Sequence, residues 1–225
     1  MKTKLIYAIA FTLLVQVANA QMIGLKGGVN MSNMAMSIDG TTYSPNSMTG
    51  FHFGPVIDFT LNKSFSLNTG LLYSLKGYDL KNVSDATMEN ASPLNGKAKL
   101  SYFDIPVNLA FKIPISSKFK FFIQAGPYMA MGIGGTIKKP SSATNNPIPI
   151  QDIYSYSILA KTDYGVGAGA GFEIGRMVYS VNYNYGLRNL NYEPYTHNVK
   201  GTLNVTSLEF SVAYMFGNLS SKIGK

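Results

Sequence analysis

After its first twenty-odd residues the chain settles repeatedly into strict alternation, with an apolar residue at every second position and a polar, charged or glycine residue between. Phe103, Ile105, Val107, Leu109, Phe111 and Ile113 share one face of such a run, while Asp104, Asn108 and Lys112 share the other. Reading for this period predicts eight strands: Met22 to Met31, Gly50 to Leu61, Phe65 to Tyr78, Leu100 to Ile113, Phe119 to Ile133, Thr162 to Ile174, Met177 to Arg188 and Thr202 to Phe216. The connections alternate in length. Asn62 to Ser64, Pro114 to Lys118 and Gly175 to Arg176 are tight turns, whereas Ser32 to Thr49, Asp79 to Lys99, Gly134 to Lys161 and Asn189 to Gly201 are long and polar. Short turns on one side and long loops on the other predict an all-β fold, an eight-stranded antiparallel transmembrane β-barrel of up-and-down meander topology.

The phase of the alternation separates an outside from an inside. Phe51, Phe53, Ile57, Phe59 and Leu61 face outward on the second run, as do Tyr179, Val181, Tyr183, Tyr185 and Leu187 on the seventh. Aromatic residues gather towards strand ends, as interfacial girdles require. Phe59, Phe65, Phe111, Phe119, Tyr214 and Phe216 fall at the short-turn rim, and Phe53, Tyr73, Phe103, Tyr164 and Tyr185 nearer the other. The inward set carries the cations Lys26, Lys76, Lys112, Lys120 and Arg188 and the anions Asp58, Asp104, Asp163, Glu173 and Glu209. Unpaired buried charge is expensive, so the balance of signs predicts a closed, mutually neutralised polar core. A barrel of about eight strands is also narrow enough to be filled by its own side chains. A soluble lipocalin has the same strand number, but an apolar interior and a charged exterior.

On the sixth run, Gly165, Gly167, Gly169 and Gly171 all point inward. They predict a bare stripe on the inner wall, across which a long neighbour such as Lys120 or Tyr128 can lie.

Composition and the N-terminus place this barrel in a cell. Lys2 and Lys4 precede an apolar run from Leu5 to Val17 and a small-x-small site at Ala18, Asn19 and Ala20. Residues 1–20 therefore read as a cleaved secretory signal peptide; the run is short of the about 20 residues of a membrane helix. The barrel is expected over residues 21–216, followed by a short basic periplasmic tail at 217–225. Basic residues are scattered despite a net charge of +8, and nucleic-acid binding requires a clustered stripe. Without cysteine there are no disulfides, thiolate metal sites or thiol nucleophiles.

Candidate chemistry is sparse. His52 points inward near the outer end of its strand and His197 lies in the last loop. His52 is a candidate general base, but the histidine, serine and carboxylate of an outer-membrane enzyme ordinarily face the lipid-accessible wall, so an inward histidine reads as a hydrogen-bonding interior residue. Gly165, Gly167 and Ala170 match the spacing of a dinucleotide fingerprint, but that motif needs a following helix. Phe172 to Arg176 is instead a strand end and turn. Glu173 and Glu209 are a nominal acid–base pair, better assigned to the interior network, and Asp85 and Glu89 are the nearest approach to a calcium set. No catalytic, cofactor or metal residues are assigned. The long loops are the expected seat of function: Lys138 and Lys139 suit lipopolysaccharide phosphates, and Tyr154 and Tyr156 suit a protein partner.

Several segments carry a family resemblance: Gly24 to Asn30, Tyr102 to Val107, Gly126 to Tyr128, Asp163 to Gly171, and Tyr185 to Leu187. Together they resemble the PorT-like outer-membrane β-barrel proteins of Bacteroidota, often labelled porin family. Such barrels commonly end on an aromatic residue, which Phe216 supplies, although Gly217 to Lys225 follow it. The resemblance implies an outer-membrane location in a Gram-negative bacterium; the loop residues add the expectation of contact with lipid and lipopolysaccharide and of an envelope protein partner. The shared motifs are structural and nearly silent on activity, although some members are linked to protein secretion; the closed core and long loops are what lead to the expectation of a non-enzymatic structural or interaction role. A narrow porin for small solutes is the alternative, and an outer-membrane enzyme a remote one.

Overall fold

A computed structural model describes residues 21–38, 41–43, 46–83, 94–140, 147–150, 160–190 and 201–216. The expected signal peptide, the tail after Phe216, and Asp85, Glu89, Tyr154, Tyr156 and His197 lie outside the described residues. The strands are β1 (Gln21–Ile38), β2 (Thr41–Tyr43), β3 (Asn46–Thr60), β4 (Phe65–Gly70), β5 (Leu72–Val83), β6 (Leu94–Pro114), β7 (Phe119–Pro140), β8 (Pro147–Ile150), β9 (Thr162–Ile174), β10 (Met177–Gly186) and β11 (Gly201–Phe216). Among the described residues all regular structure is strand.

Every neighbouring pair is antiparallel, and the last strand returns to the first, with Phe216 opposite Ile23. The ring runs β1, β3, β4 with β5, β6, β7, β9, β10, β11 and back to β1, which makes eight wall positions. β4 and β5 are one wall strand interrupted at Leu71. Their registers agree, since Val56 opposite Gly70 continues into Phe53 opposite Tyr73, and Thr69 opposite Val107 into Leu72 opposite Asp104. The interruption has a local cause: Pro55 and Pro106 flank it on the two neighbouring strands and offer no N–H to the ladder. Their carbonyls remain in use, taking the Leu71 N–H at 3.0 Å and the Thr69 hydroxyl at 2.8 Å.

The tight turns follow from their residues. Asn62 Oδ1 accepts the N–H groups of Ser64 and Phe65, each at 2.9 Å, which folds the chain by a side-chain mimic of a backbone turn. Gly175, at a φ of 59°, opens the two-residue β9–β10 connection, a conformation that hairpins of this length demand and glycine adopts without strain.

At the opposite end the strands run further than the alternation does. β1 continues to Ile38, β6 begins at Leu94, and β7 reaches Pro140, where β8 pairs with it. The long connections expected from Ser32, Asp79 and Gly134 onward are therefore partly paired wall. A transmembrane β-strand needs about 9–11 residues, so β6 with 21 and β7 with 22 stand well above the apolar band. Backbone pairing persists there without alternation because neither face of the extension meets lipid.

The wall is inverted relative to a water-soluble barrel. Leu25, Phe53, Met129 and Tyr183 are more than half exposed on the outside, while Asn30, Ser32, Ser66 and Ser74 are fully buried inside. That band of apolar surface, far larger than soluble proteins leave open, excludes the lipocalin arrangement. Aromatic clusters stand at both of its edges. Tyr73 meets Phe51, Phe53 and Phe103 at 5.9, 5.6 and 6.4 Å on one side. Near the short turns, Phe65 meets Phe111 at 5.2 Å and Tyr214 meets Phe216 at 5.1 Å.

Candidate functional site: the sealed lumen

Three layers of side chains fill the interior. Nearest the short turns, Lys112 from β6 reaches across to Asp58 on β3 and lies 2.6 Å from Glu173 on β9, and all three side chains are buried. Lys120, more exposed at the rim, adds a longer contact of 3.6 Å to Glu173. One ammonium between two carboxylates, with a second behind them, leaves this layer neutral.

The middle layer joins ions to neutral amides. Asn68 on β4 donates to Gln124 on β7 at 3.2 Å, and Gln124 donates to Asn182 on β10 at 2.5 Å, a hydrogen-bonded bridge across the lumen. Above it, Lys76 Nζ sits 2.7 Å from Asp104 Oδ2 and lies over the rings of Tyr102 and Tyr128, 5.9 and 5.4 Å from their centroids. Aromatic faces and a carboxylate both compensate a desolvated ammonium. Tyr128 in turn donates to Asp163 at 3.1 Å. Ser207 donates to Glu209 at 3.4 Å. Small cavities of about 70 Å³ and 20 Å³ remain, both lined by Lys26. They are large enough for a few ordered waters each at most.

The third layer is apolar. At the long-loop end Met34, Leu100, Tyr102, Ala130 and Val205 turn inward and form one buried cluster with Ala160 and Leu190 from the segments beside β9 and β10. The Ala160 N–H donates to the Leu190 carbonyl at 3.0 Å, which ties together the two segments that extend β9 and β10 at this end. The expectation of a closed polar core is corrected in one respect: at the long-loop end the inward side chains form an apolar cluster. The signal was present in Leu100, Tyr102 and Phe103, where apolar residues occupy both phases of one strand.

Other sequence-derived residues are placed as follows. Arg188 lies beyond β10, half-buried, donating to the Thr162 hydroxyl, so it belongs to the mouth and not to a balanced set of ion pairs. The glycine stripe faces bulky neighbours: a Cβ on Gly165 would meet the Tyr128 ring, on Gly171 the Phe122 ring, and on Gly167 and Gly169 the amides of Asn184 and Asn182. Tyr128 crosses the stripe; Lys120 turns to Glu173 instead. Lys138 and Lys139 fall in the extended part of β7, with Lys138 opposite Lys97 of β6.

His52 is 1% exposed, and its Nε2 lies 2.9 Å from Ser211 Oγ. Its Nδ1 is buried and without a hydrogen-bond partner, so the carboxylate that orients a catalytic imidazole is missing. The pair is an interior hydrogen bond on β3 and β11. Among the described residues no group of acids and histidines is arranged to hold a metal.

Residues 18–192 match the family described as outer membrane protein beta-barrel domain. The chain belongs to that outer-membrane barrel family. No curated protein matches it. Among solved structures the barrel is similar to OprG of Pseudomonas aeruginosa, at 10% identity over 88% of this chain and 97% of that one, TM-score 0.47. It is also similar to Ail of Yersinia pestis, at 13% identity over 87% and 99%, TM-score 0.41, and to Neisserial surface protein A, at 13% identity over 85% and 97%, TM-score 0.41. The match to the outer-membrane barrel family ends beyond β10, one strand short of the closing β11.

Proposed function

We propose that this outer-membrane barrel is a non-conducting envelope protein that acts through its long-loop end, as a structural or interaction component. The observation that carries the reading is the double seal: an ionic and amide lattice fills the lower lumen and a separate hydrocarbon layer closes the outer mouth. A solute pathway would break both, at the cost of leaving charges buried and unpaired. The tall β6–β7 extension, with β8 added to its edge, supplies a raised wall on which a partner can dock. The motifs shared with PorT-like proteins supply the secretion-linked partner as the specific form of this role. Lys138 and Lys139 are its proposed contacts to lipopolysaccharide phosphates, and Tyr154 and Tyr156 its contacts to protein. Residues 1–20 direct export as a cleaved signal.

In-cell crosslinking of the intact chain, compared with a variant whose residues 141–158 are replaced by a short Gly-Ser linker, tests the interaction role. A crosslinked envelope protein that disappears in the variant supports it. An identical crosslinking pattern in both removes the loop from function.

A further inference from the structure

The lipid-facing wall is not uniform. Across β7, β9, β10 and β11 one row of outward residues reads Ile123, Ala170, Val181, Phe210 and the row below it Phe121, Phe172, Tyr179, Val212. Ala170 is the small member of its row, and above it Ala168 faces Ala125 across the β7–β9 ladder. The dip at Ala170 is a groove of about 480 Å³, walled by Phe121, Phe172, Tyr179 and Phe210. The groove is open on its outer side, and its lining is mainly hydrocarbon and aromatic, with Ser180 and Ser211 also among the lining residues. β9 is thin here on both sides, because glycine faces in wherever these alanines face out.

Below the groove the aromatic wall is continuous, with Phe119 on Phe172 at 6.0 Å and Phe172 on Tyr179 at 5.0 Å. At its foot stand two exposed cations, Lys118 and Arg176, joined through the Gly175 N–H donating to the Lys118 carbonyl at 2.9 Å. Ala170 is four residues from Ile174 at the end of β9, about 13 Å along a strand. The hydrocarbon half-thickness of a bilayer is about 15 Å. A molecule with a phosphate at Lys118 and Arg176 therefore brings its hydrocarbon chain into the groove.

We propose that this face is a binding site for one phospholipid of the periplasmic leaflet, its phosphate held by Lys118 and Arg176 and one acyl chain laid against Ala170 between the aromatic walls. Two observations choose a lipid over a second copy of the chain or another protein. The groove is continuous with the lipid-facing belt, and its cations sit at headgroup level. The site is independent of the loop-end role and of whether the lumen conducts.

Purified barrel loaded with dipalmitoyl phosphatidylglycerol and examined by native mass spectrometry tests the assignment. The intact chain is expected to retain one lipid after the detergent is stripped, and Ala170→Phe to lose it at unchanged heat-modifiable migration. Val181→Trp, at another outward residue that lines the groove, repeats the test should Ala170→Phe fail to fold. Lys118→Gln with Arg176→Gln should reduce retention several-fold, while retention of dipalmitoylglycerol, which has no phosphate, should be weak in every form. Equal retention in the filled and open grooves would overturn the site, as would a protein dimer that Ala170→Phe dissociates. Retention unaffected by both charge removals would overturn the headgroup contact.

Discussion

Lys76 and Asp104, from adjacent strands β5 and β6, face each other across 2.7 Å in the middle of the lumen with side chains 3% and 8% exposed. The pair is flanked by two tyrosine rings and by Asp163 through Tyr128. It joins the ionic layer below to the hydrocarbon layer above, so what happens on breaking it is informative about both.

Removing one partner leaves the other charged and buried. Lys76→Met is expected to destabilise the barrel by about 3–5 kcal/mol, and Asp104→Leu by a similar amount. The double variant should recover most of the loss, since two apolar side chains suit the tyrosine-walled site. Urea unfolding in lipid vesicles measures the cycle, and additive losses in the double variant would show that the pair is not coupled.

The hydrocarbon seal is expected to exclude water-soluble reagents from the lumen. The native chain has no cysteine, so Ser74→Cys is a clean reporter beneath the seal, at a position that is fully buried. It should resist a charged maleimide, and adding Leu100→Ala with Leu190→Ala should raise the labelling rate several-fold. Each truncation should also cost about 2–5 kcal/mol. Rapid labelling with the seal intact would place the closure elsewhere.

Glycines in this barrel are not equivalent. Gly171 packs against Phe122 and the Tyr179 carbonyl, whereas Gly134 has open space where a Cβ would go. Gly171→Val should abolish the heat-modifiable band, and Gly134→Ala should leave it unchanged. Gly175→Ala, strained at its positive φ, should lie between, at about 1–2 kcal/mol.

Lipid on the outside makes charge tolerance depend on the face. Val107→Arg, at the mid-height of β6 and pointing outward, should cost about 2–4 kcal/mol. Lys99→Arg, above the apolar band on the same phase, should be nearly neutral. Equal tolerance of the two, measured by unfolding in vesicles, would contradict the outward assignment.

Alternation made the wall legible, because period two with one face in lipid is a strong constraint: β9 runs from Thr162 to Ile174 as the pattern predicts, and the inward acids and lysines of Lys112 and Glu173 meet. Legibility failed where the constraint did. Above the membrane neither face of a strand is selected for hydrocarbon, so the extensions of β1, β6 and β7 look like loops in sequence. Inside, charge counting finds ions but not the neutral bridge from Asn68 through Gln124 to Asn182, whose partners lie 56 and 58 residues apart. Leu190 is invisible for a similar reason, since only the folded mouth tells a sealing leucine from an ordinary loop residue. The split at Leu71 was readable in principle from Pro55 and Pro106, given the register that sets them side by side.

The central claim is that the lumen is shut. Planar bilayers into which the purified, heat-modifiable barrel has been inserted measure this directly: the account predicts a current that stays at baseline across the voltage range, and stable ion-conducting openings of the unaltered protein would contradict it.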